Sequence, residues 1–187
     1  TVALADLETF YRDAKKRFDD EEGFADKARN YVVKLQGGDA HCEKLWKLFI
    51  ATSVKHSEEV YKRLNVTLTP ADIMAESAYN SELNDIISLL KDKNIAVESQ
   101  GAQVVFLDEL ANKDGEPSAF IVQKSGGGFL YATTDLAACD YRSNKLGAER
   151  ILIFVDARQS LHFNQVELTA RKAGLLRDET SYEFCPF

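Results

Sequence analysis

No two cysteines in this chain stand close together. Cys42, Cys139 and Cys185 are odd in number and form no C-x-x-C pair. That argues against both a disulfide framework and a zinc site. A reducing compartment is implied, and the cytoplasm is the expected location. No apolar run approaches the roughly 20 residues needed to span a bilayer. No signal-peptide pattern opens the chain. A surplus of positive charge is also missing: 23 Lys and Arg face 30 Asp and Glu, for a formal net charge of −7. Small dedicated nucleic-acid modules are usually basic, so that class is disfavoured, although a local basic patch stays compatible. There is no internal repeat and no low-complexity segment. What is present is 187 residues with 45% hydrophobic content, one large domain or two small ones with material for a proper core. The chain starts on threonine and stops on Phe187 after a proline, and we expect a piece of a larger protein.

The first third reads as helix. Leu4, Leu7, Phe10, Ala14 and Phe18 recur at three- and four-residue steps. Gly37 and Gly38 break the pattern, and Asp39 is a fair N-cap for a second helical stretch. From Cys42, the positions Leu45, Trp46, Phe49, Ser53, Val60 and Leu64 trace one amphipathic face. Near Leu64 the texture changes. "LNVTLT" alternates like a strand, and Thr69-Pro70 reads as N-cap and first helical residue. Residues 81–90 read as helix. Short strands come next in "IAVES", "AQVVFLDE", "SAFIVQK" and "GFLYA", with "DGEP" and "SGGG" as turns. A helix over 135–145, the apolar strand "ILIFV" and a helix over 160–174 come last. An apolar strand between two helices marks a buried parallel strand of an α/β sheet. The expected boundary lies near Arg63, with a helical segment over 1–63 and an α/β segment over 64–187.

Each chemical motif has a plainer reading beside it. "SGGG" could cradle a phosphate, but no Gly-Lys-Ser/Thr comes after it and no G-x-G-x-x-G opens a helix, so a hairpin turn is simpler. In "GGGFLYATTDLAACDYR", Thr133 or Thr134 can cap a helix and Asp135 suits its first turn. Tyr131 alone is an ordinary strand aromatic. Together, Tyr131 and Asp135 sit where a strand feeds a helix, a usual place for ligands in open α/β sheets. A carboxylate beside a phenol would receive a planar cation, because it accepts two parallel N–H bonds from a guanidinium. In "VDARQSLHFNQ", Gln159 lies in a loop, Ser160 can cap, and His162 and Gln165 fall in the first helical turns. Spacing alone leaves them as helix and loop polar groups. His41 and His56 have no partner spacing and read as structural. Glu76 and Ser77 in "MAESAYN" are either caps or polar groups beside a site.

"YATTDLAACDYR", then "GAERILIFVDARQSLHFNQV", then "RKAG", resembles the class I arginyl-tRNA synthetases of the bacterial kind. "NYVVKLQGGDAHCEKLW", "RLNVTLT" with "AESAYN", and "VVFLDE" with "GEPSAFIVQK" fit the same family in order and spacing. The resemblance covers essentially the whole chain. It implies an α/β fold, part of a class I Rossmann-type catalytic core, with a mainly helical inserted segment over 1–63 and the second part of the catalytic domain over 64–187. It implies a ligase that uses ATP and magnesium, with no prosthetic group, to make arginyl-adenylate and then arginyl-tRNA. The family's Tyr-x-x-x-Asp element, which contacts arginine, falls on Tyr131 and Asp135. Its glutamine ahead of the Leu-His pair, which lines the same pocket, falls on Gln159. His162 and Gln165 match positions near the nucleotide. Partners would be arginine, ATP and tRNA, for a monomeric enzyme that uses no membrane.

The sequence departs from the family pattern in what it omits. "LHFN" is not a version of the ATP-gripping HIGH element, which is expected upstream. A KMSKS-type loop is expected downstream. The tRNA-elbow and anticodon-binding regions are absent too, and residue 134 is threonine where some members carry arginine. The chain is therefore expected to be inactive alone. No residue in it is expected to be catalytic or to hold a metal, since adenylate formation rests on positioning and charge stabilisation. Two rivals remain: a non-catalytic synthetase-like module that binds tRNA or a protein, and an unrelated nucleotide-binding α/β enzyme.

Overall fold

The computed structural model describes residues 7–36 and 38–187, except the side chains of Leu7, Glu8 and Gln36. The expectations placed on Leu4, on Gly37 and on the Leu7 side chain lie outside the described residues. The chain forms two compact units that divide between Ile73 and Met74.

The first unit is helical. It holds α1 (Leu7–Asp20), α2 (Phe24–Gln36) and α3 (Ala40–Arg63). The break between α1 and α2 comes at Gly23, whose φ of 76° suits a residue without Cβ. The apolar spacing did not reveal this break. Asp39 caps α3 as expected: its Oδ1 accepts from the Cys42 amide at 2.9 Å. Phe10 of α1 meets Phe49 of α3 with ring centroids 6.2 Å apart. Phe10, Tyr31, Leu45, Trp46 and Phe49 line an apolar cleft of about 440 Å³, into which no carboxylate, amine, guanidinium or imidazole of the described residues extends. Among the described residues of this unit only Cys42 is buried.

"LNVTLT" is not a strand. Residues 64–69 run as a turn and unpaired coil, and Leu64 and Leu68 are exposed. Alternation suits a half-buried strand only where a neighbouring edge offers pairing. Pro70 does open a short 3₁₀ turn, Pro70–Asp72, with the Thr69 amide and hydroxyl both donating to Asp72 Oδ2 at 2.7 and 2.9 Å.

The second unit is α/β. Helix α4 (Leu83–Asp92) leads to β1 (Val97–Ser99), β2 (Ala102–Leu107) and β3 (Ser118–Gln123), an antiparallel sheet in that order. The turn after β3 uses Gly126 and Gly127, both at φ 88°. Lys124 N donates to Gly128 O at 2.8 Å, and Phe129 returns to bridge Gln123. The glycines thus make a turn, as the plainer reading held. "GFLYA" is not a strand, however. After that single bridge the chain enters α5 (Tyr131–Asp140), so the helix starts before Asp135 and ends in a π-turn, Tyr141–Lys145.

β4 (Arg150–Val155), α6 (Ser160–Ala173) and β5 (Ser181–Pro186) form a parallel β–α–β unit. Gly174, at φ 74°, ends α6. Lys93 Nζ donates to Ala173 O at 2.6 Å and Asn144 Nδ2 to Gly174 O at 3.1 Å, which satisfies carbonyls at that end. The core gathers Leu90 from α4, Leu107 and Val122 from the antiparallel sheet, Leu136 from α5, and Val166 and Ala170 from α6. The apolar strand "ILIFV" was expected to be buried throughout. Instead Ile151 is buried, while Leu152 and Phe154 are exposed, Phe154 by 70%. Only one face of this strand is covered among the described residues. No helix there is long and apolar enough to cross a membrane.

Candidate substrate-binding site

Helix α5 begins at Tyr131 without a side-chain cap, after an extended Leu130. The threonines expected to cap it do other work. Thr133 is fully buried and its hydroxyl donates to the Val122 carbonyl of β3. Thr134 Oγ1 reaches only back to Leu130 O, at 3.5 Å. Thr133 therefore pins the first turn of α5 to the sheet. On that turn Tyr131 is 69% exposed. Asp135 comes four residues later, on the same side of the helix.

The Asp135 carboxylate meets α6. His162 Nε2 lies 2.6 Å from Asp135 Oδ2, with both side chains about 30% exposed. An ionised carboxylate only accepts, so Nε2–H is the donor. The imidazole is held edge-on by Phe120 of β3, at 5.9 Å between centroids, and by Phe163, at 5.0 Å. Phe163 in turn stacks on Phe184 of β5 at 5.8 Å.

A second acid feels the charge of Asp135. Glu76 stands in a short 3₁₀ turn, Glu76–Tyr79. Its carboxyl is pushed up, first by partial burial and then by the charge of Asp135. The same charge is felt deeper in the fold. Burial raises the Cys139 thiol to about 12 and raises the Tyr182 phenol, with Asp135 adding to each. A carboxylate whose charge disfavours ionisation of a second acid favours a cation beside it.

Gln159 closes the 3₁₀ turn Ala157–Gln159 after β4 and occupies the N-cap position of α6. Asp156 caps that turn, accepting from the Arg158 amide at 2.8 Å, while α6 itself starts without a side-chain cap, so the capping expected of Ser160 is not made. Gln159 is exposed, its side chain has no hydrogen-bond partner among the described residues, and it precedes His162 by nearly one helical turn. Gln165 points inward. It is buried, and its amide donates to Ser118 Oγ at 3.0 Å and Ala119 O at 3.4 Å on β3.

The structure thus joins Asp135 to His162, sets Tyr131 and Gln159 at the starts of the two helices that carry them, and spends Gln165 on the sheet. Sequence reading missed the Asp135–His162 bond and the part played by Phe120. Neither has a local signal, because the partners come from separate elements.

Comparisons with known proteins bear on this site. Residues 1–187 match a family model described as tRNA synthetases class I (R), catalytic domain. The chain is 98% identical over 187 residues to an arginine–tRNA ligase of Pseudoalteromonas translucida (strain TAC 125), covering 100% of this chain and 32% of that protein. It is 66% identical over 186 residues to the arginine–tRNA ligase of Alteromonas mediterranea, again over 32% of the relative's length. The chain therefore spans about a third of the curated relatives it matches. A crystal structure of arginyl-tRNA synthetase from Plasmodium falciparum superposes with a TM-score of 0.78 at 24% identity, over 98% of this chain and 30% of that one. At that identity the likeness speaks for the fold.

Proposed function

Because the chain belongs to the family of class I arginine-type tRNA synthetase catalytic domains, we propose that it supplies the arginine-binding wall of a ligase that joins arginine to its tRNA. The observation that carries the reading is the Asp135 carboxylate, held at Oδ2 by His162 at 2.6 Å with no hydrogen bond to Oδ1 among the described residues, whose charge also repels that of Glu76. A substrate guanidinium would relieve that repulsion and pair with both charges. Tyr131 stands one turn away to offer a phenol or a ring face to the same group. Gln159, with an unspent amide at the start of α6, would hold a polar part of the amino acid.

The full-length enzyme would carry out two steps. The arginine carboxylate attacks the α-phosphate of ATP and pyrophosphate leaves. A terminal tRNA hydroxyl then attacks the acyl carbon and AMP leaves. Asp135, Glu76, Tyr131 and Gln159 move no proton in either step; they hold the side chain so that the carboxylate is presented. Such a pocket rejects lysine, whose ammonium would leave acceptors unpaired. Gln165 spends its amide on Ser118 and Ala119 of β3, and we place His162 on the arginine side through its bond to Asp135, with a position near ATP as the alternative for both residues. Among the described residues no three His, Cys, Asp or Glu are placed to hold a metal ion. Magnesium would arrive with ATP.

We assign residues 1–63 to a helical insertion in the core and 64–187 to the second part of its Rossmann-type domain. The enzyme is placed in the cytoplasm as a monomer, and this chain alone, without HIGH or KMSKS elements, is inactive. The test is Asp135→Asn in the full-length ligase, read by pyrophosphate exchange. Breaking a paired charge typically costs about 2–5 kcal/mol, so arginine affinity should fall roughly thirtyfold to several thousandfold. The ATP constant should change far less. An arginine constant within about threefold of wild type, under 1 kcal/mol, overturns the site.

A further inference from the structure

We infer that His162 is a positioning residue for the substrate arginine: its ring holds Asp135 by Oδ2 and so fixes where Oδ1 is presented. The inference rests on the arginine-site reading above and adds a residue that local motif spacing could not place there.

The geometry is specific. Asp135 Oδ2 takes the imidazole at 2.6 Å, the length of a charge-assisted bond. No hydrogen bond reaches Oδ1 among the described residues, so that oxygen remains open to a ligand. A partly exposed aspartate ordinarily turns about its last torsion, which is broad. Here one oxygen is anchored, and the torsion with it.

The anchor is itself fixed from several elements. Phe120 on β3 and Phe163 on α6 contact the imidazole edge-on, and Phe184 on β5 backs Phe163. Gln165, three residues after His162, fastens α6 to β3 through Ser118 and Ala119. On the opposite helix, Thr133 fastens the first turn of α5 to β3. The strand β3 is therefore the common base on which both Asp135 and His162 are mounted. A free energy of ordering that the ligand would otherwise meet has already been met by the fold, which is what preorganisation means.

The guanidinium is the far end of arginine from the carboxylate that reacts. Loosening Asp135 should therefore weaken binding more than it slows chemistry, a loss that appears in KM rather than in kcat. A role for His162 on the nucleotide would instead raise the ATP constant.

The experiment uses the full-length ligase and L-arginine. His162→Phe keeps a ring between Phe120 and Phe163 but removes the donor. His162→Gln keeps a donor. Asp135→Asn and the double variant Asp135→Asn/His162→Phe complete a cycle. We expect His162→Phe to raise the arginine KM by roughly tenfold to thirtyfold, the scale of one lost charge-assisted hydrogen bond. The change in kcat and in the ATP KM should stay within about twofold, and His162→Gln should recover most of the loss. In the double variant, His162→Phe should add little to Asp135→Asn, because it acts through that carboxylate.

An arginine KM within about threefold of wild type in His162→Phe, or full additivity in the double variant, overturns the inference. So does an equal rise in the ATP KM. Should His162→Phe fail to fold, His162→Gln carries the test alone: a tenfold rise in arginine KM with the donor retained would count against it. A harmless Asp135→Asn would instead overturn the arginine site itself, which keeps the two failures apart.

Discussion

Asp135 illustrates how little of a residue's role lies in its own neighbourhood. Its spacing from Tyr131 is visible in the sequence, and the structure keeps both on one side of α5. The partner that fixes its carboxylate, His162, arrives from another helix, and the second acid, Glu76, arrives from a turn far upstream. Periodicity carries no information about such meetings. Glu76 gives a residue-scale prediction. Its folded-state carboxyl is raised above the ordinary value, by burial and by Asp135. The folded protein therefore holds a proton there more readily than the unfolded chain does. The charged form opposes folding above the unfolded value, and stability recovers as pH falls through the folded one. Glu76→Gln removes that opposition. In the full-length ligase the melting temperature should hold or rise slightly, while arginine affinity falls by about tenfold, the scale of a hydrogen bond to a charged group. Paired melting curves and arginine titrations check this. A lower melting temperature with unchanged arginine affinity would make Glu76 a structural residue.

Elements are legible where apolar spacing and caps agree, and misleading where a pattern lacks a neighbour. Asp39 capping α3 and Gly174 closing α6 are local chemistry, and both can be read from the residues alone. "LNVTLT" and "GFLYA" have strand-like texture, but pairing is a property of two segments, and neither finds a ladder. The start of α5 is displaced from its expected position for a related reason. Thr133 looks like a cap, yet its hydroxyl is taken by a carbonyl of β3, a tertiary bond that outweighs the local preference. Thr133→Val tests that assignment. Valine matches the shape but offers no donor, so the Val122 carbonyl loses this buried partner. The expected cost is about 1–3 kcal/mol. A cap replaced at an exposed helix start would cost less, and Thr134→Val should shift stability by under about 0.5 kcal/mol. Urea unfolding of both variants reads the difference directly. Equal midpoints would mean that the bond to β3 does not hold α5 in place.

At the scale of the whole chain, the two units are stabilised in different ways. The sequence divides a helical first third from an α/β remainder, and the folded units part between Ile73 and Met74, beyond the end of α3. What composition could not show is how unevenly the core is shared. Every member of the large buried cluster lies between Tyr79 and Leu176. In α1, α2 and α3, among the described residues, Cys42 alone is buried, although these helices carry Phe10, Tyr31, Trp46 and Phe49. Helices in water depend on packing an apolar face rather than on propensity, so a helical set with so little burial should open at low free energy. In α4, α5 and α6 opening must separate Leu90, Leu136 and Val166, all fully enclosed. Amide hydrogen exchange on the 187-residue chain should therefore show two classes. Central amides of α4, α5 and α6 should exchange at least about tenfold more slowly than central amides of α1, α2 and α3, a gap of about 1.4 kcal/mol or more. Thr133→Val should bring the slow class down and leave the fast class unmoved, since the broken bond lies wholly in the second unit. Uniform protection across all six helices, or a loss that spreads equally to α1, α2 and α3, would show one cooperative body in which the sparse burial of the first unit does not limit its stability.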